Sequence, residues 1–133
     1  MGQDISGNEW GQIRHHASTG VLELQWRNVA MTDNAFMATL GLLALEAERL
    51  RPTAIIVDAR TFRHTFGPGI MDWRNATILP RYGAAGVRKF AFVVAAGSPP
   101  VGTEVVEGQA VFPTAWFDSH DHALAWIQQG RPA

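Results

Sequence analysis

Apolar residues recur along the chain with two different periods, and the changes of period divide it into elements. From Glu9 to Trp26, "EWGQIRHH", the turn signal "ASTG" and "VLELQW" read as a hairpin. In its second arm Leu22, Leu24 and Trp26 face one way and Glu23, Gln25 and Arg27 the other, as in a strand buried on one side. The period then changes. In "TDNAFMATLGLLALEAERLRP", Phe36, Leu40, Leu43, Ala47 and Leu50 recur at helical spacing behind the cap formers Thr32, Asp33 and Asn34. Arg49 and Arg51 suit the negative end of that helix, and Pro52 stops it.

The run "TAIIVDA" has the length and β-branched content of a strand buried on both faces. The pattern then repeats. Pro68 suits a first helical turn, "GPGIMDWRNATILPRYGAAG" carries Met71, Ile78 and Tyr82 on one face, and Pro80 and Gly83 end or kink it. A second buried strand, "RKFAFVVAA", follows, and then the Gly/Pro-rich stretch Gly97 to Gly108, a loop in which "TEVV" adds a short helix or an edge strand. "AVFPTAWF" reads as a strand near a sheet edge, where Pro113 is tolerated. Asp118 is expected to cap a last helix bearing Ala123, Leu124 and Ile127.

The order β-β-α-β-α-β-β-α, about five strands and three main helices, predicts a single-domain α/β sandwich with a mixed sheet over residues 9–129. Residues 1–8 are expected to be a disordered leader and 130–133 a tail. "AIIVDA" and "FAFVVA" are expected as neighbouring, parallel central strands, because each is apolar throughout and each follows a helical crossover. The loops after Ala59 and Ala96 then share one end of the sheet.

Composition narrows the partners. Eleven Lys and Arg against twelve Asp and Glu give a formal charge of −1, so no global basic field is available to hold nucleic acid or an anionic membrane. Cysteine is absent, which excludes disulfides, thiolate metal sites and cysteine nucleophiles and suits a reducing cytoplasm. No apolar run approaches the roughly 20 residues that span a bilayer.

Candidate chemistry concentrates in "RTFRHTFGPG", the loop that follows the first buried strand. Ligands of open α/β sheets sit at the carboxyl ends of the strands. Arg60, Arg63 and His64 can bind an oxyanion there, a helix starting near Pro68 or Gly69 offers free N–H groups beside the Gly67 to Gly69 turn, and Trp73, beside Arg74, can face a ligand or partner. Asp58, His64 and Asp72 are the residues a small hydrolase or transferase would use at the same rim, although no nucleophile accompanies them. In "DSHDH", His120 and His122 are two residues apart and face different ways on a helix, so no metal site is expected; His15 and His16 likewise point to opposite faces of a strand. The five tryptophans suit core packing or, in a purely structural homo-oligomer, a dimer interface.

The element order from Val21 through Gln128, with "IIVDARTFRHTFGPGIMDW", "GVRKFAFVV" and "FPTAWFDSHDHALAWI", resembles the STAS-like fold of anti-sigma-factor antagonists, especially the small bacterial SpoIIAA-like, STAS/SEC14-related proteins. The resemblance implies a cytoplasmic, non-enzymatic binding or regulatory domain without cofactor, meeting a partner protein or a small anionic or apolar ligand at the rim formed by Arg60 to Trp73 and Gly97 to Gly108. In the antagonists the corresponding loop carries an Asp-Ser-Ser-Gly type motif with a phosphorylated serine. This chain has Thr65, Phe66, Gly67, Pro68 and Gly69 there and no serine between Thr19 and Gly97, which leaves Thr61 or Thr65 as the only local hydroxyls for such a switch.

Overall fold

In the computed structural model, which describes residues 2–97, 104–106 and 112–129, the hairpin and both crossovers build a single mixed sheet. Its strands are β1 (Gln3–Gly7), β2 (Gly11–His16), β3 (Val21–Trp26), β4 (Ala54–Asp58), β5 (Lys89–Val93), β6 (Glu104–Val106) and β7 (Pro113–Phe117). They lie in the order β1-β2-β3-β4-β5-β7-β6. β3, β4, β5 and β7 are parallel; the β1-β2, β2-β3 and β6-β7 pairs are antiparallel. "AIIVD" and "KFAFV" are thus adjacent parallel strands in the middle of the sheet, and Glu104–Val106 supply an edge strand.

Two expectations at the amino terminus are corrected. Gln3–Gly7 are not a disordered leader but a strand paired with β2. Its polar sequence hides this, because an edge strand is held by backbone hydrogen bonds rather than by an apolar run; Ile5 alone packs against the core. The second strand also starts later than Glu9. Asn8 Oδ1 accepts from the N–H groups of Trp10 and Gly11 (both 2.9 Å), which makes a turn of the residues that the pattern assigned to a strand.

Helices cover both faces unequally. On one face α1 (Asp33–Leu50), α2 (Ile70–Trp73) and α3 (Leu79–Ala84) pack over Ile13, Leu22, Leu24, Ile55, Val57 and Phe90. On the other, among the described residues, α4 (His120–Gln128) covers Val21, Ala54, Ile56, Ala91, Val93 and Ala115 with Ala123, Trp126 and Ile127. β3 is therefore buried on both sides, and Glu23, expected at a solvent-facing position, is only 4% exposed.

Local chemistry sets the helix ends. Thr32 Oγ1 accepts from Ala35 N–H (3.1 Å) to start α1, and Arg51 ends it in a left-handed conformation (φ 53°) with its N–H on Ala47 O. Ser119, not Asp118, caps α4: its Oγ accepts from His122 N–H at 3.3 Å. Between α2 and α3 the helix widens into a π-helical turn, Arg74–Ile78, with Leu79 N–H reaching back to Arg74 O. Pro80 explains the position, since it has no N–H for the preceding turn and its ring crowds the carbonyl there.

Candidate functional site

β3 and β4 run parallel, so Trp26 and Asp58 reach the same rim of the sheet. From Asp58 the chain turns sharply, and the Asp58 carboxylate organises the turn. It accepts from the Arg60 backbone N–H (3.2 Å), from Arg60 Nε (3.0 Å) and from Arg60 Nη2 (2.6 Å), while Phe62 N–H closes on Ala59 O (3.1 Å). These hydrogen bonds, with the charge of Asp58, raise the Arg60 guanidinium above its already high ordinary value. Thr61 Oγ1 donates to Trp26 O at 3.2 Å and binds the turn to the end of β3. Asp58 is a 5% exposed carboxylate paired within its own loop, where it holds the turn.

Beyond the turn, Thr61 to Phe66 alternates strictly: Thr61, Arg63 and Thr65 are exposed, while Phe62, His64 and Phe66 are half-buried. The inward set meets the start of α1. Phe36 lies 4.6 Å from Phe66 and 6.0 Å from Phe62 between ring centroids, and Trp26 stacks on Phe36 at 5.6 Å and tilts against Phe62 at 5.0 Å. His64 stands edge-on to both Phe62 and Phe66. An aromatic floor under the loop thus fixes which of its side chains face solvent.

Asp33, in the first turn of α1, completes the arrangement. Its carboxylate accepts from His64 Nε2 (2.6 Å) and from Gly67 N–H (3.2 and 3.3 Å). A side chain on residue 67 would collide with it, since an added Cβ would lie 2.6 Å from Asp33 Oδ2. The hydrogen bond from His64, followed by that from Gly67 and the charge of His64, holds the Asp33 carboxyl below its ordinary value of 3.8, against the opposing effect of burial. A depressed folded value means that this tie stabilises the fold above pH 3.8 and is lost as pH falls through the folded value. The Gly67 amide proton is accordingly expected to titrate with a midpoint below 3.8 in NMR spectra; a midpoint at or above 3.8 would show that the tie is not formed in solution.

The candidate site residues therefore separate. Arg63, His64 and Thr65 line one open groove of about 370 Å³ together with Asn28, Val29, Ala30 and Met31 from the segment between β3 and α1. Arg60 turns to Asp58, and the Gly67 N–H is taken by Asp33. Gly69 adopts φ 81° as the residue before α2, a conformation that favours glycine. Trp73 packs half-buried against the main core, Asp72 is exposed on α2, and all five tryptophans are buried or half-buried. Asp58 and His64 have separate carboxylate or guanidinium partners and do not form a common site with Asp72 through any described hydrogen bond.

Sequence reasoning missed the opposite wall, Asn28 to Met31, and the carboxylate of Asp33. It missed the inward phenylalanines as well, although the two-residue period of "TFRHTF" is a signal that could have found them. Of the second proposed part of the rim, Gly97 to Gly108, most lies outside the described residues. Among the described residues, no helix is long and apolar enough to cross a membrane. No family model, curated protein or solved structure matches the chain.

Proposed function

We propose that the chain is a non-enzymatic, STAS-like binding or regulatory domain that recognises an acidic group, carried by a partner protein or a small ligand, in the groove between residues 28–31 and 63–65. One observation carries this reading. Arg63 is exposed on the groove wall and, among the described residues, has no carboxylate of its own, whereas Arg60 and His64 are each paired. An arginine held on an extended segment with a rigid aromatic underside presents its fork of donors in a defined direction, which suits a carboxylate or phosphate. Val29, half exposed on the same groove, adds an apolar contact for the rest of the ligand.

The openness of the groove favours binding over catalysis, because an enzyme needs a base beside a reacting group in an enclosed site. His64 is oriented by Asp33, as a general base would be, but its described hydrogen bond goes to that carboxylate and its ring contacts are phenylalanines, with no described hydrogen bond to a hydroxyl nucleophile. The test is the affinity for inorganic phosphate and for succinate. Arg63→Ala is expected to weaken binding about tenfold and to reduce its salt dependence, as loss of a charged hydrogen-bond donor should. Arg88→Ala, an exposed arginine at the other end of the sheet, is expected to change neither; equal affinities for wild type and Arg63→Ala would end the reading.

A further inference from the structure

The face of the sheet that carries α4 holds a second cluster, which shares no described hydrogen bond with the rim loop. Glu23 lies on β3, His16 on the neighbouring β2 and His120 at the first residue of α4. Glu23 Oε1 is 2.7 Å from His16 Nε2 and 3.1 Å from His120 Nε2, and the three ligand-type atoms lie within 4.8 Å of one another. The side chains are 6%, 15% and 29% exposed, so the carboxylate is buried while the His120 side remains open. We propose that these three side chains form a site for a first-row divalent transition metal ion, with zinc as the reference case.

The charge balance around Glu23 motivates a cation. A buried carboxylate is costly unless a positive group compensates it. Arg14, its cross-strand neighbour on β2, is paired with Asp4 (2.7 Å), and Arg60 is paired with Asp58; Glu23 acts on Arg60 only as the weakest of the influences on that guanidinium. Its close partners are two imidazoles, which carry charge only when protonated.

Geometry and ligand type specify the cation. A carboxylate only accepts hydrogen bonds, so both Nε2 atoms point protons at the same Oε1. Moving each proton to Nδ1 turns those Nε2 positions into lone pairs converging on the carboxylate, the arrangement a metal requires. Ligand atoms about 2.1 Å from a zinc ion are about 3.0–3.4 Å apart across its coordination sphere, so the pairs at 2.7 and 3.1 Å must open slightly while the two Nε2 atoms, within 4.8 Å of one another, settle at the same spacing, a rearrangement that rotation of the less buried His120 ring can supply. Two imidazoles and one carboxylate select zinc, iron, cobalt or nickel over calcium and magnesium, which prefer oxygen ligands, and three protein ligands leave a position for water or substrate. Each ligand comes from a different element, which is why spacing within "DSHDH" did not reveal the set.

The test uses the full chain freed of metal and titrated with Co²⁺, whose visible absorption reports coordination, and then with Zn²⁺ in competition. Wild type is expected to take up one equivalent of Co²⁺ with low-symmetry absorption bands that Zn²⁺ abolishes. Glu23→Gln, His16→Ala and His120→Ala are each expected to weaken binding by at least on the order of 100-fold, while His15→Ala and His122→Ala are expected to leave it unchanged. Glu23→Gln keeps the shape and hydrogen-bonding reach of the buried residue, and circular dichroism checks that each variant is folded. Absence of saturable Co²⁺ binding by wild type would overturn the site and leave Glu23 as a hydrogen-bonded buried carboxylate only. Binding retained in the folded variants Glu23→Gln and His120→Ala, or lost in His15→Ala, would overturn it equally.

Discussion

Phe36→Ala is expected to cost about 3–5 kcal/mol of stability, the usual loss when a buried aromatic is truncated and its cavity is not refilled, and to release the loop that carries Arg63. Phe36 is 5% exposed and stands in ring contact with Trp26, Phe62 and Phe66 together. Its removal takes away the surface on which both inward phenylalanines rest, so the alternation that turns Arg63 to solvent loses its support. Urea unfolding reads the first effect. Hydrogen exchange of the Phe62 amide, which is bonded to Ala59 O, reads the second and is expected to accelerate more than the global loss of stability explains. Exchange at Phe62 that follows global unfolding alone would mean that the Asp58 turn, not the aromatic floor, positions the loop.

Leu43→Ala is expected to cost about 2–5 kcal/mol through lost transfer energy and the cavity left behind. Leu43 is fully buried in the middle of α1, in the cluster that contains Leu22, Leu24 and Ile55 of the sheet. Unlike Phe36 it lies away from the rim, so Leu43→Ala should lower the urea midpoint while leaving ligand affinity unaltered in the folded protein. A loss within error of zero would show that α1 presents another face to the sheet.

The pair of variants separates what the sequence made legible from what it did not. Helix α1 and the parallel strands β4 and β5 are visible in the chain because burial on one stripe, or on both faces, writes itself as a period or a continuous apolar run. β1 lacks such a run, because its stability comes from backbone pairing at an edge. Glu23 alternates like a solvent-facing residue and is buried where His16 of β2 and His120 of α4 close over it, a long-range fact that a local pattern cannot carry. The position of the rim loop followed from its place after a parallel strand, yet the roles within it did not. Asp33 is 31 and 34 residues from the His64 and Gly67 it binds, a separation no local pattern bridges, and Asp58 pairs with Arg60 only because the chain turns sharply after β4; the two carboxylates decide that Arg60 and His64 are committed while Arg63 is not.

The rim reading is tested most directly by an amide NMR map of the wild-type chain titrated with inorganic phosphate. If the groove receives an acidic group, saturable shifts fall together on residues 28–31 and 63–65, the two walls brought together by the fold, and they vanish in Arg63→Ala. A titration that moves neither wall, or that moves only residues around His16, Glu23 and His120, would contradict it.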